Sequence, residues 1–163
     1  MFFPELVDVP PILDFEASSL SDNSYPISAG LVIGGYVHYW VIKPKKNWLE
    51  WSPKSEALHG LSRDFIETHG IPADKVLSEI YEKLTGYDVV YSDNPEWEAM
   101  WFGRLGELEV KIVSIYTLIA KKQRENFSLY LDINFLKNNL DRHRADHDVL
   151  AIALTIKQFS TQL

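Results

Sequence analysis

The chain has 163 residues, of which 46% are hydrophobic and 24% are charged, and its formal net charge is −7 at pH 7. This length and composition predict a single folded domain over residues 1–163 and exclude wholesale disorder. The absence of cysteine excludes a disulfide framework and a thiolate nucleophile, and no apolar run is long enough for a transmembrane helix.

The acidity of the chain argues against a protein that holds nucleic acid mainly through a basic surface. The sequence begins MFFPELVDVPP, with acids and prolines where a signal peptide has a basic stretch followed by an apolar run. We therefore expect a cytoplasmic protein without a membrane partner.

Three strands are predicted near the start of the chain. The first covers 12–16, after two prolines, and apolar runs predict the second at 27–33 and the third at 36–42. Gly34 and Gly35 separate the last two runs, and a two-glycine connection favours a tight β-hairpin because it tolerates positive φ. We therefore predict that the sheet begins with antiparallel strands.

Helices and strands alternate in the rest of the chain. Short helices are predicted at 55–58 and after Ser62, and a longer one begins at Pro72 and ends at Gly86. Strands are predicted at 87–91 and 110–116, with a helix opened by Pro95 between them. Two apolar stripes at helical spacing predict core-facing helices in the last third: Leu129, Ile133, Leu136 and Leu140, then Val149, Ile152, Ala153 and Ile156. This order indicates a mixed α/β fold with five strands in one sheet.

Asp14 and Glu16 form the first candidate site. Residues two apart in a strand point to the same face, so both carboxylates share one face at the end of the first strand. Burying two such charges is costly unless a cation joins them, and Mg²⁺ or Mn²⁺ prefers hard oxygen ligands. The alternative is that the chain emerges into solvent at Asp14.

A second candidate cluster lies near the end of the chain, from His143 to Asp148. On one helix these two side chains would point to different faces, because five residues turn about 140° around the axis. They converge only if His143 lies in the loop before the helix and Asp148 lies in its first turns. The alternative is a polar helix start in which Asp146 interacts with the helix dipole.

The third candidate site follows the fourth predicted strand, where Asp93 and Glu98 flank Pro95. Both are strand-end carboxylates and therefore candidates for chemistry at the site. The alternative is that one of them only caps the helix that Pro95 opens.

Together these clusters resemble the DEDDh (DnaQ-like) family of 3′→5′ exonucleases, in the RNase H-like superfamily. The motifs are Asp14-Phe15-Glu16 followed by residues 17–20, the segment His59-Gly60-Leu61-Ser62, and a histidine five residues before Asp148. The resemblance covers nearly the whole chain. It implies an RNase H-like fold, with a mixed five-stranded sheet whose first three strands are antiparallel and whose faces carry helices.

The middle motif departs from the family pattern. Family members carry an aromatic residue followed by Asp, whereas this chain has Trp97 followed by Glu98. We expect Glu98 to replace the aspartate, with Asp93 as the second choice. The departure keeps an alternative function open, in which a catalytically impaired relative binds nucleic-acid ends or a protein.

The resemblance implies two-metal hydrolysis at the 3′ ends of single-stranded RNA or DNA, with release of 5′-mononucleotides. Its implied ligands for two Mg²⁺ or Mn²⁺ ions are Asp14, Glu16, Glu98 and Asp148, and His143 is the implied general base. The implied substrate contacts are Ala17, Ser18, Leu20 and His59, and many relatives are homodimers. Cations near the site are candidates to hold phosphates: Lys43, Lys45, Lys46, Lys121, Lys122, Arg142 and Arg144.

Overall fold

The computed structural model describes residues 1–160. The strands are β1 (Ile12–Ala17), β2 (Pro26–Ile33), β3 (Tyr36–Lys43), β4 (Ile71–Pro72), β5 (Val89–Ser92) and β6 (Lys111–Ser114). The helices are α1 (Pro53–His59), α2 (Arg63–His69), α3 (Ala73–Lys83), α4 (Pro95–Leu105), α5 (Phe127–Lys137) and α6 (Ala145–Ser160), and three short 3₁₀ turns connect other segments. Within this described range, no helix has the length and apolar character needed to cross a membrane.

The strands form one mixed sheet in the order β4-β3-β2-β1-β5-β6. Strands β1, β2 and β3 are antiparallel neighbours, and β5 runs parallel to β1 on the other side. Gly34 and Gly35 adopt φ values of 55° and 80° in the β2–β3 turn, where a side chain would be strained. The predicted hairpin and the mixed α/β fold are confirmed.

The two faces of β1 face different layers of helices. Leu13 and Phe15 belong to a core shared with α2, α3 and α4, whereas Ile12 belongs to a second core shared with α5 and α6. Since strand residues alternate between faces, Asp14 and Glu16 lie on the same face as Ile12, toward α6.

The sheet has six strands, so the predicted count of five is wrong. The additional strand β4 has two residues and pairs in parallel with the end of β3, where Ile71 lies opposite Ile42. Pro72 was expected to be the first residue of a helix, but it is extended and α3 begins one residue later. A strand this short carries no periodic pattern, and only its partner strand defines it.

The stripe predicted to bury α5 is only partly right, because Ile133 and Leu140 are half-buried whereas its other two members face outward. Leu129 is 58% exposed and Leu136 is 82% exposed, whereas Phe127 and Phe135 are buried. The helix packs on α6 through Phe127 and Tyr130, whose rings contact Phe159, and through the buried amide of Asn134, whose Nδ2 donates to Thr155 Oγ1 at 3.0 Å. The aromatic contacts and this hydrogen bond fix the rotation of α5 and leave the leucines outward.

Gly30 sets how closely α6 approaches the sheet. It lies opposite Asp14 in the β1–β2 register, on the face that α6 covers. A Cβ atom at this position would overlap the carbonyl group of Ala145 and lie 2.8 Å from the amide nitrogen of Asp146. The first turn of α6 therefore rests on bare backbone directly beside Asp14.

We expect Gly30→Ala to lower the free energy of unfolding by about 2 kcal/mol or more, because the methyl group forces α6 away from β2. Urea denaturation measures the change. Gly103→Ala is the matched control, since a Cβ atom there meets nothing within 4 Å and alanine favours the helix. A Gly30→Ala variant as stable as Gly103→Ala would contradict the close approach.

Candidate active site

Three segments bring carboxylates to one edge of the sheet. Asp14 and Glu16 are the third and fifth residues of β1, Glu98 lies in the first turn of α4 just after β5, and Asp148 lies in the first turn of α6. Because β1 and β5 are parallel neighbours, their carboxyl ends meet, and the packing of α6 at Gly30 adds the third segment. The result is an acidic cleft of about 270 Å³, which Asp93 also lines.

Three of these carboxylates are arranged for a metal ion. Asp14, Glu16 and Asp148 each offer an oxygen within 4.8 Å of the other two. In addition, Oδ2 of Asp14 and Oε2 of Glu98 are buried without a hydrogen-bond partner among the described residues. Buried polar atoms normally find partners, so these oxygens fit a divalent cation with hard oxygen ligands.

The raised pKa values of the cluster indicate that its carboxylates are unfavourable in their ionised form. Burial raises the pKa of Asp14 well above its usual range, and repulsion from Glu98 and Glu16 raises it further. Burial, followed by the influence of Asp148, raises the pKa of Glu16 to about 8. Burial also raises the pKa of Asp148 to about 6. Without a cation, the folded chain therefore keeps protons on this cluster near neutral pH.

Of the two candidates for the carboxylate of the middle motif, Glu98 and Asp93, Glu98 has the stronger electrostatic effect on Asp14. It is 2% exposed, and repulsion from Glu98 is the largest charge effect on the pKa of Asp14, whereas that from Asp93 is the smallest of the four. Burial raises the pKa of Glu98 itself, while a hydrogen bond from the backbone N–H of Phe15 opposes that rise. Both acids line the cleft, and Glu98 is the more strongly coupled to Asp14.

His143 lies in the loop between α5 and α6 and lines the same cleft. His143 is exposed, and its backbone has a φ of 60°, which is uncommon for residues other than glycine. Such backbone conformations occur preferentially at functional sites. The loop therefore presents an imidazole at the mouth of the carboxylate cluster.

His59, at the end of α1, is a neutral hydrogen-bond donor. Burial lowers its pKa to about 4, and the nearby His143 also acts to lower it. Its Nδ1 accepts the backbone N–H of Leu61 at 3.1 Å, so the ring hydrogen is on Nε2, which is buried without a partner among residues 1–160. This arrangement leaves one unused N–H donor near His143.

The expected substrate contacts after β1 have different environments. Ala17 and Ser18 are buried, and Ser18 Oγ accepts the backbone N–H of Tyr25 at 3.2 Å. Leu20 is 73% exposed. Within the described range, the lining of the acidic cleft contains none of these three residues and does not include His59.

The candidate cations also differ in what they already bind. Lys45 Nζ donates to the carbonyls of Arg104 and Leu105 at the end of α4, and Arg144 Nε donates to Asp146 at 2.9 Å. Among residues 1–160, Arg142 is the one lysine or arginine that lines the acidic cleft. Leu131 and Phe135 of α5 also line the cleft, and neither residue belongs to a motif recognised in the sequence.

The six-stranded mixed sheet, with helices on its faces and carboxylates at one edge, forms a mixed α/β domain, as the sequence predicts. Among solved structures, E. coli exonuclease I in complex with a dA16 oligonucleotide is similar at a TM-score of 0.68, with 13% identity over 93% of this chain and 41% of that chain. Exonuclease I from Methylocaldum szegediense is similar at a TM-score of 0.67, with 14% identity over 93% and 40% of the two chains. The chain therefore shares its fold with these exonucleases.

The zinc-bound form of the E. coli exonuclease I complex with single-stranded DNA has a TM-score of 0.61, with 12% identity over 92% of this chain and 39% of that chain. The chain thus spans about two fifths of the length of these three structures. No protein-family model matches the chain, and no curated protein matches it.

The raised pKa values predict how stability depends on pH when metal is removed. For Glu16 and Asp148, the folded-state pKa lies above the unfolded value, so the native state binds more protons than the unfolded chain. Their contribution is fully present below pH 4 and is lost as pH rises through about 6 and about 8. In EDTA, we therefore expect Glu16→Gln to gain Tm relative to the wild type as pH rises from 5 to 8.5.

Differential scanning calorimetry at several pH values measures this difference in Tm. Glu96→Gln is the matched control, because Glu96 is an exposed acid on α4 outside the cleft lining. A constant difference between Glu16→Gln and the wild type over this pH range would contradict the raised pKa of Glu16.

Proposed function

We propose that the protein is a metal-dependent 3′→5′ exonuclease that releases 5′-mononucleotides from the 3′ ends of single-stranded nucleic acid. The observation that carries this proposal is the group formed by Asp14, Glu16 and Asp148, with the unpartnered oxygen of Glu98 beside it. The similar structures of exonuclease I support the proposal, since several of them are complexes with oligonucleotides.

The carboxylates divide into two roles. Asp14, Glu16 and Asp148 would hold one Mg²⁺ or Mn²⁺ ion, and Asp14 together with Glu98 would hold a second. Two such ions stabilise the attacking and leaving oxygens of an in-line displacement at phosphorus. Glu98 is one methylene longer than the aspartate that the resemblance leads one to expect, and its burial beside Asp14 suits it to the same role.

The two histidines would have different roles: His143 would transfer a proton, and His59 would help to orient the substrate. His143, at the mouth of the cleft, would accept the proton of the attacking water as the general base. His59 would contact the bound strand, as the resemblance implies, and its buried Nε2–H would have to become accessible to donate to it. The exposed side chain of Leu20 would border the terminal base, next to the backbone of Ala17 and Ser18.

The proposed substrates are single-stranded DNA ends, RNA ends and short oligonucleotides. The similar solved structures hold DNA, whereas RNA would need a contact to the 2′-hydroxyl of the terminal nucleotide. We also propose a cytoplasmic location and a homodimer, which the acidic, cysteine-free composition and the exposed leucines of α5 allow.

We expect the wild type to shorten 5′-labelled DNA or RNA oligomers from the 3′ end in Mg²⁺ or Mn²⁺. Asp14→Asn and Asp148→Asn should each reduce kcat by about a thousandfold or more, because both remove a ligand from the reacting centre. His143→Ala should reduce kcat by about 10²-fold or more while leaving Mn²⁺ binding intact. Denaturing gels of the product ladder, with mononucleotides identified by chromatography, provide the measurement.

Asp64→Asn is the matched control, since Asp64 is an exposed acid on α2 away from the cleft. Failure of the wild type to hydrolyse RNA and DNA oligomers with either metal would overturn the proposal. If end-labelled oligomers still bound to that inactive protein, its function would instead be recognition of nucleic-acid ends, in keeping with the glutamate at position 98.

A further inference from the structure

A second, more open groove adjoins the acidic cleft along α5. This outer groove has a volume of about 670 Å³ and is lined by Asp132, Phe135, Leu136, Asn139, Leu140, Asp141 and Arg142. Arg142 and Phe135 line both cavities, so their side chains stand at the junction. The candidate metal ligands line the inner cavity alone, whereas Asp132 and Asp141 are acids of the outer groove. A strand whose 3′ end reaches the carboxylates therefore has a continuous path past Arg142.

The guanidinium of Arg142 is held in a defined position at this junction. Its central carbon lies 4.3 Å from the centroid of the Phe135 ring, and its Nη2 donates to Oδ1 of Asp132. A cation on an aromatic face and an ion pair with Asp132 restrain the plane of the group. The remaining N–H groups of the guanidinium bind no protein acceptor within residues 1–160. They are therefore available to bind a phosphate.

The position of Arg142 suits a phosphate other than the one being cleaved. The scissile phosphate would lie at the half-buried carboxylates deeper in the cleft, whereas the side chain of Arg142 is 51% exposed at its mouth. One part of the wall of the outer groove is apolar, since it is formed by Phe135, Leu136 and Leu140, and Leu136 is 82% exposed. A phosphate at Arg142 would thus place the adjoining base against this wall.

We propose that Arg142 binds the backbone phosphate immediately 5′ of the scissile one, and that the outer groove receives the base attached there. This inference rests on the proposed exonuclease function and makes its preferred substrate a strand of three or more nucleotides. Asp132 and Phe135 position the guanidinium. The single cation at the junction also offsets the repulsion that the acidic cleft exerts on a second phosphate.

Substrates of defined length test this placement, because a dinucleoside monophosphate has only the scissile phosphate. For a trinucleotide and a hexanucleotide of thymidine, we expect Arg142→Ala to raise KM about tenfold with kcat within about twofold. For the dinucleoside monophosphate, the change in kcat/KM should stay below about twofold. Arg142→Lys should recover only part of the loss, because it keeps the charge without the planar fork.

A binding measurement gives a readout that does not depend on turnover. With Ca²⁺ in place of Mg²⁺, the fluorescence anisotropy of a labelled thymidine hexamer should give a Kd about tenfold higher for Arg142→Ala. The slope of log Kd against log salt concentration should fall by about 0.7, the amount expected for one phosphate contact on a single strand. Lys137→Ala is the matched control, since Lys137 is an exposed cation at the end of α5 outside both cavities.

An equal loss on the dinucleoside monophosphate would overturn the inference, because Arg142 would then act on the scissile phosphate. A loss no larger than that of Lys137→Ala would also overturn it, while exonuclease activity of the wild type would leave the proposed function standing. A wild type that neither hydrolyses nor binds the oligomers would overturn the proposed function, and this inference with it.

Discussion

Repulsion among carboxylates crowded at one edge of the sheet is the interaction on which the site depends. Asp14 and Glu98 have buried oxygens without partners among residues 1–160, and burial together with like charge raises the pKa values of Asp14, Glu16 and Asp148. A folded chain can relieve this cost by keeping protons on the cluster or by binding cations. The same oxygens that destabilise the metal-free protein are therefore the ligands through which a divalent ion would stabilise it.

The rest of the fold holds these charges together. Two apolar cores, one on each face of the sheet, fix β1 between opposing layers of helices, and the bare backbone of Gly30 lets α6 bring Asp148 to the side of β1 that carries Asp14 and Glu16. The net charge of −7 is thus partly a property of one cleft. In the proposed function this cleft would hold the end of a strand, and Arg142 at its mouth would hold a second phosphate.

The features that the sequence could predict are those set by local periodicity. The two-residue repeat of a strand places Asp14 and Glu16 on one face, and the geometry of a helix requires His143 to precede α6 if it is to approach Asp148. The rotation of α5 could not be predicted, because it follows from a hydrogen bond between Asn134 and Thr155 rather than from apolar spacing. Strand β4 and the junction at Arg142 and Phe135 likewise arise only from long-range packing.

The central claim is that the carboxylate cluster is a metal site, and calorimetric titration with Mn²⁺ at pH 7 tests it most directly. Because the pKa of Glu16 is raised to about 8, binding should release protons, seen as a heat that changes with the ionisation enthalpy of the buffer. Asp14→Asn should weaken binding, and Glu96→Gln should not. Absence of binding by the wild type, or Mn²⁺ binding that Asp14→Asn leaves unchanged, would contradict the account.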